Sequence, residues 1–283
     1  MKILFGYNGT EAATAALLDL RHAGLPHDAE LLVLTVADER HFPKAETEAR
    51  RVSADARSAI SAEFPDWKIT DEVVAGVPAR EILNRAESFK PHLIIVGEPH
   101  RDLGDTNIFM GQTSQVILTE AECSVRVARS NASQTEQPDR VIVAFDGSAG
   151  AAKAVELVAG RCWNSGVEVR LLAVADSSVL GSIGRFTPQM TDAAVEAKFA
   201  SQWAQTLAAS SLAKLAKAGI SGSVEVRLGR PRESIIQEAA GWKANSIFVG
   251  PHCAGNLFER FLLGSVSAAV AAHANCSVEV VRA

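Results

Sequence analysis

This sequence predicts two tandem open α/β domains, each with a doubly wound, Rossmann-like parallel sheet. Three observations carry the prediction: an internal repeat that covers nearly the whole chain, the alternation of short apolar runs with helix-length segments in each copy, and a polar segment between the copies. Two homologous halves in one chain are expected to pack about a pseudo-twofold axis.

The internal repeat consists of two blocks that align without gaps. Residues 2–38 match residues 140–176 at an offset of 138. The second block has an offset of 153 and pairs glycines of the two copies, Gly97 with Gly250 and Gly111 with Gly264. The offsets differ by 15 residues (153 − 138), so the second copy carries an insertion, which falls after residue 176.

The repeat also divides the chain into domains. We expect a first domain over residues 1–130, a linker over 131–139 and a second domain over 140–283. The linker is polar and lacks apolar periodicity, as exposed connections do.

Each copy alternates predicted strands and helices. In the second copy, the strands are predicted at Val141–Phe145, Glu168–Ala175, Ser223–Arg227, Ser246–Val249 and Ser277–Val281. The helices are predicted at Ala151–Arg161, Met190–Ala218, Pro231–Trp242 and Ser265–His273. The first and fourth strands are nearly continuous apolar runs, which is typical of parallel strands buried on both faces.

The bulk composition limits the partners and the compartment. The 283 residues are 47% hydrophobic and 22% charged, with a net charge of -5, so we expect neither nucleic acid nor an anionic membrane as a partner. The first residues enter a strand directly, and no apolar stretch reaches the roughly 18 residues of a membrane span, so a cytoplasmic protein is expected. None of the four cysteines belongs to a CxxC pair, so buried, reduced thiols are expected.

The first candidate binding segment, Phe145-Asp146-Gly147-Ser148, follows the first strand of the second copy. Ligands of such sheets bind beyond the carboxyl ends of the strands. The Asp146 carboxylate could accept hydrogen bonds from an adenine amino group or a ribose hydroxyl. The alternative is a plain strand-to-helix turn, with Gly147 in the turn and Ser148 capping the helix.

The second candidate segment is the loop after the fourth strand, which leaves the sheet at Gly250 and enters a helix at Gly264. The N–H groups at that helix start, together with the hydroxyls of Ser265 and Ser267, favour an anion site. Glycines in the loop would let the backbone approach a phosphate closely.

These two segments resemble the universal stress protein family, and the resemblance covers nearly the whole chain twice. Nucleotide-binding members share an acidic residue after strand one and a Gly-x2-Gly-x9-Gly-[Ser/Thr] loop after strand four. By this resemblance Asp146 and Val174 would contact the adenosine, and Gly250, Gly264 and Ser265 would line the phosphates. The spacing departs by one residue, which would give the middle glycine's role to Gly255.

The resemblance implies a stress or signalling protein that binds an adenine nucleotide in its second domain. ATP is the expected ligand, with ADP, AMP and an accompanying Mg²⁺ left open. The full set of expected nucleotide-binding residues is Asp146, Gly147, Ser148, Val174, Gly250, Gly255, Gly264, Ser265, Val266 and Ser267. Two alternatives stay open: a nucleotide-free interaction module that works through its dimer surface, and a slow ATP hydrolase. No catalytic residue or metal ligand set is predicted.

The first copy departs further from the family pattern. Asn8 stands where the second copy has Asp146, and Gln112 follows Gly111 where Ser265 follows Gly264. Its loop over residues 98–110 carries three carboxylates and one arginine, a formal charge of -2, whereas residues 251–263 sum to 0. Since each nearby carboxylate would oppose a phosphate by about 1 kcal/mol, nucleotide binding there is disfavoured.

The resemblance also implies how the two copies meet. The family pairs the last strands of its subunits, so Val125 and Val127 are expected beside Val278 and Val280 within one chain. Each chain would then be a pseudo-dimer, and any further homodimer would use other surfaces.

Overall fold

The computed structural model describes residues 1–37, 45–99, 110–129, 138–175, 193–250 and 263–282, without the side chains of residues 45 and 193–200. These ranges form a single sheet with helices on both faces. The strands are β1 Lys2–Gly6, β2 Glu30–Ala37, β3 Lys68–Ala75, β4 Leu93–Gly97, β5 Ser124–Ala128, β6 Arg140–Ala144, β7 Glu168–Ala175, β8 Ser221–Leu228, β9 Ser246–Val249 and β10 Ser277–Val280.

Helices connect these strands in each half. They are α1 Glu11–Asp19, α2 Ala45–Glu63, α3 Pro78–Phe89, α4 Gln112–Glu120, α5 Ala149–Ala159, α6 Ala193–Lys217, α7 Pro231–Gly241 and α8 Ser265–His273. The predicted bounds of β7, β9 and α8 are confirmed to the residue. The start predicted for α6, at Met190, lies outside the described residues.

The strand order along the sheet is β3-β2-β1-β4-β5-β10-β9-β6-β7-β8. Within each half every neighbouring pair is parallel. The first strand of each half, β1 or β6, lies between the second and the fourth, so the direction of winding changes beside it. That crevice is where doubly wound folds bind their ligands.

The two halves meet through β5 and β10, the one antiparallel pair among the described strands. Val125 lies opposite Val280, and Val127 lies opposite Val278. The pairing predicted for these valines within one chain is therefore confirmed. Each strand covers the open edge of the other, which leaves β3 and β8 as the outer edges of the sheet.

The apolar core differs between the two faces of the sheet. On one face a single cluster runs through both halves, from Leu4 and Ile94 to Ile247 and Val278. On the other face two separate clusters lie beneath α1 and α2 and beneath α5 and α6. Successive strand residues alternate between the faces, so strands such as β1 must be apolar throughout.

The cysteines are less uniformly buried than the sequence predicted. Cys276 is buried and Cys123 is half-buried, but Cys162 is exposed, so the expectation of a buried thiol is wrong there. Cys162 follows α5 in a short segment whose backbone bonds to the first half, its N–H donating to the carbonyl of Gly24 at 3.0 Å. The thiol therefore lies on a surface turn rather than beneath a helix. Cys253 lies outside the described residues.

Candidate functional site

The candidate site in the second half begins where β6 ends. The N–H of Phe145 donates to the carbonyl of Leu172 at 2.9 Å, which continues the β6–β7 ladder beyond Ala144. This register brings Asp146, the next residue, beside Val174 at the carboxyl edge of the sheet. The two residues expected at the adenosine are thus neighbours.

Asp146 opens a tight turn into α5. Its Oδ1 accepts the N–H of Ser148 at 2.9 Å, and Gly147 adopts a left-handed φ of 78°. The Oγ of Ser148 accepts the N–H of Ala151 at 3.1 Å and caps the helix. The turn that was the alternative interpretation of this segment is therefore formed. Asp146 is also exposed, so its carboxylate remains accessible from solvent.

Gly250 directly follows β9 and lies against the first turn of α5. A Cβ on Gly250 would lie 2.2 Å from the carbonyl oxygen of Gly150, far inside van der Waals contact. Gly97 has the same relation to α1 in the first half, where a Cβ would lie 2.3 Å from the oxygen of Ala12. Glycine at this position lets the strand end approach the start of the helix that follows Ser148.

The start of α8 supplies the other side of the site. Gly264 is its N-cap and, being glycine, has no side chain with which to cap the helix. Ser265 is exposed and Val266 is half-buried, packing with Val174 against the same apolar cluster. Ser267 is only 5% exposed, and its equivalent Ser114 is 3% exposed, which indicates a packing position common to both halves. Gly255 lies outside the described residues.

In the first half, a carboxylate occupies the start of the corresponding helix. Glu98 follows β4 directly, and its two carboxylate oxygens accept the N–H of Gly111, the N-cap of α4, at 3.1 and 3.2 Å. Glu98 is only 4% exposed. A negative charge at this end of a helix is stabilised by the unpaired N–H groups and the helix dipole.

The second half cannot repeat this arrangement, because the residue equivalent to Glu98 at the offset of 153 is Pro251. Sequence reasoning counted Glu98 only as one of several loop charges and missed its contact with the helix. The signal was its position, directly after β4 and ahead of a helix start with glycine at the cap.

Asn8 takes the place of Asp146 in the first half. Its Oδ1 accepts the N–H of Thr10 at 3.2 Å and the Oγ1 hydroxyl of Thr10 at 2.7 Å. The turn is therefore the same in both halves, and what changes is the charge that it presents.

The described ranges hold no group of three His, Cys, Asp or Glu residues placed to bind a metal ion. No helix within them combines the length and the apolar character that crossing a membrane requires.

The fold and the site define a tandem pair of doubly wound α/β domains with a candidate anion site at the strand ends of the second. Both halves match the universal stress protein family, over residues 1–129 and 138–282. The chain belongs to this family.

Individual relatives agree with this assignment. A universal stress protein of Methanocaldococcus jannaschii is 25% identical over 139 residues, which are 45% of this chain and 81% of that protein. The crystal structure of a universal stress protein from Archaeoglobus fulgidus covers 99% of this chain and 96% of its own, with 20% identity and a TM-score of 0.66. A putative universal stress protein from Pseudomonas aeruginosa covers 99% and 92%, with 15% identity and a TM-score of 0.64. These two structures match the tandem fold from end to end.

Proposed function

We propose that the second half binds one adenine nucleotide, ATP, at the carboxyl edge of its strands, and that the protein acts in stress response or signalling rather than in catalysis. The observation that carries this proposal is the contrast between the two helix starts. Glu98 supplies an anion to α4, whereas proline stands at the equivalent position before α8.

The start of α8 is suited to a phosphate. Gly264 has no Cβ to obstruct an approaching anion, and the exposed Ser265 adds a hydroxyl donor beside the N–H groups of the first turn. In the first half the corresponding N–H of Gly111 is already bonded to Glu98, and Gln112 replaces the serine. A phosphate there would have to displace a bonded, buried carboxylate of its own sign.

The nucleoside end is supported by Asp146 and Val174. Asp146 uses Oδ1 in its turn, and an exposed carboxylate has further lone pairs for ribose hydroxyls or an adenine amino group. The neighbouring Val174 offers an apolar surface to the base. Gly250 contributes by letting β9 approach α5, which holds these parts together.

Calorimetric titration of the full chain with ATP, ADP and AMP, each with and without Mg²⁺, tests the proposal. We expect one nucleotide per chain. Asp146→Ala should weaken binding at least tenfold, because it removes a charge-assisted hydrogen bond worth about 1.5–3 kcal/mol. The matched control is Asn8→Ala at the equivalent turn of the first half, which should leave affinity unchanged.

Three results would contradict the proposal: absence of binding heat together with absence of co-purified nucleotide, two equal sites per chain, or a loss of affinity in Asn8→Ala alone. The first would favour an interaction module that works through its surface. Steady release of phosphate from ATP, abolished by Asp146→Ala, would favour a slow hydrolase.

We also propose residence in the cytoplasm and domain limits of 1–130 and 140–283. The three cysteines among the described residues are all unpaired, which is the usual state in a reducing compartment. Any homodimer would use surfaces other than the β5 and β10 edges, because these edges already pair with each other.

A further inference from the structure

Arg126 and Glu279 lie on the pseudo-twofold axis that relates the halves. They are equivalent residues at the offset of 153, and they face each other across the β5–β10 pair. A residue that pairs with its own equivalent in an antiparallel ladder must lie on the axis. If two first halves paired in this way, arginine would face arginine, and if two second halves paired, glutamate would face glutamate.

Both side chains point to the face of the sheet that carries α1 and α5, and both residues are fully buried. Arg126 donates to the carboxylate of Asp19 at 2.6 and 3.1 Å, to Ser246 Oγ at 2.8 Å and to Glu279 at 3.5 Å. Arg161 forms an ion pair with the other oxygen of Glu279. Burial alone would lower the pKa of Arg126, but attraction to Asp19 and Glu279 outweighs it and raises the pKa above its usual value.

The four charges sum to zero, and none of them is repeated by symmetry. The residue equivalent to Asp19 is Leu157, and the residue equivalent to Arg161 is Ala23, both at the offset of 138. The first half therefore brings a positive strand residue, Arg126, and a negative helix residue, Asp19. The second half brings a negative strand residue, Glu279, and a positive partner, Arg161.

Other contacts across the axis are repeated by symmetry. The N–H of Arg129 donates to Ser277 Oγ at 2.9 Å, and the N–H of the equivalent Arg282 donates to Ser124 Oγ at 3.1 Å. Such contacts would form equally well between two like halves. Discrimination between like and unlike halves must therefore come from contacts that are not repeated, among them the His22–Asp139 hydrogen bond and the buried charged cluster of Asp19, Arg126, Arg161 and Glu279.

We propose that this charged cluster makes the two halves specific for each other: the β5 edge accepts a half that brings glutamate to the axis and rejects a second copy of itself, and the β10 edge does the reverse. Like charges directly opposed in a dry antiparallel pair repel, and a mismatched pair cannot turn its charges to solvent. The partner that fits each edge is a half of opposite axial charge, so chains do not assemble through like halves.

Thermal unfolding of the full chain tests whether unlike charges must face each other on the axis. The double variant R161E/E279R keeps the sum at zero and keeps a counter-charge beside each strand charge, but it opposes two arginines on the axis. We expect its midpoint to fall by about 10 °C. The quadruple variant D19R/R126E/R161E/E279R restores unlike charges in reversed order and should recover at least half of the loss.

The proposal fails if the double variant unfolds within about 2 °C of the native chain, or if the quadruple variant is no more stable than the double. The second of these results would show that the cluster only fills space at the interface.

A second measurement follows the choice of partner directly. A protease site is introduced into the linker predicted from the sequence, and the chain is cut there. Native mass spectrometry after a cycle of urea unfolding and refolding then separates the three possible pairs by mass. Unlike pairs should exceed like pairs at least tenfold in the cut native chain. Like pairs should approach their statistical share in the cut R161E/E279R variant, where every pairing opposes two arginines. A statistical mixture from the native chain, or undiminished selectivity in the variant, would overturn the proposal.

Discussion

The two halves share one backbone plan and differ in what they place at its strand ends. After β4, Glu98 turns its carboxylate onto the start of α4, whereas Pro251 follows β9 and offers neither a carboxylate nor an N–H. After the first strand, Asn8 presents an amide where Asp146 presents a charge. A single scaffold thus carries one helix start that is bonded to a carboxylate and one whose equivalent residue is proline, and the proposed nucleotide site depends on this contrast.

Positions at which the halves agree serve the fold. The glycines at the ends of β4 and β9 make the same close approach, and Thr10 and Ser148 cap α1 and α5 in the same way. Two sets of positions at which the halves differ carry the proposals made above: the residues at the helix starts and the charges on the axis.

The largest expected effect is a loss of stability when the glycines shared by the two halves are substituted. Gly250→Ala and Gly97→Ala should each destabilise the protein by about 1–3 kcal/mol, because the new Cβ meets backbone that cannot move aside alone. Urea unfolding measures the change. Gly241→Ala is the control, since a Cβ at this helical position meets nothing within 4 Å and should stabilise slightly.

A different result would change the role assigned to Gly250. If Gly250→Ala kept its stability and lost only nucleotide affinity, while Gly97→Ala was destabilised, the glycine after β9 would serve the ligand rather than the contact with α5.

The next effect concerns the two helix starts. Pro251→Glu gives the second half the residue of the first and should weaken ATP binding about tenfold, which corresponds to about 1.4 kcal/mol. The converse change, Asn8→Asp with Glu98→Ala and Gln112→Ser, should add a weak second site. Calorimetric stoichiometry measures both, and Pro251→Ala is the control for loss of the proline alone.

Equal weakening by Pro251→Glu and Pro251→Ala would show that the loop path matters and the charge does not. A triple variant that still bound one nucleotide per chain would show that the first half lacks more than a free helix start.

The fold was predictable because the repeat doubled every signal. The main apolar runs and several glycines, such as Gly97 with Gly250 and Gly111 with Gly264, occur twice at a fixed offset. The pairing of Val125 and Val127 with the last strand followed from the family resemblance. The contact of Glu98 with Gly111 was missed, because the position of Glu98 after β4 indicates a nearby helix start but not where its side chain points. Gly250 illustrates the same limit: a glycine that makes room for a phosphate and one that makes room for a helix look identical in sequence.

The axial charges were also hidden in the sequence. Arg126 and Glu279 occupy equivalent positions in strands that otherwise read as apolar, and their meaning depends on the antiparallel register, which places them opposite each other. Sequence patterns identified the strands, but only the register identified the axis.

The smallest expected effect is a difference in alkylation rate between two thiols at equivalent positions, Cys123 and Cys276, and the exposed thiol of Cys162. Cys123 and Cys276 precede the last strand of each half, and burial raises the pKa of Cys123 to about 11 and that of Cys276 to about 12. At pH 8 both thiols would therefore be almost entirely protonated, and only the thiolate reacts with an alkylating agent. Cys162 is exposed, so iodoacetamide can reach it.

Alkylation of the folded protein at pH 8, followed by mass spectrometry of each cysteine peptide, should therefore modify Cys162 first, Cys123 much later and Cys276 last. Modification of Cys162 alone should leave stability unchanged, because its thiol is exposed. The same reaction in denaturant is the control, because there all the thiols are exposed and should react at similar rates. If Cys276 reacted as fast as Cys123 in the folded chain, the two halves would open equally at this position. The difference in burial between them would then have no consequence in solution, since local opening rather than the thiol's surroundings would set both rates.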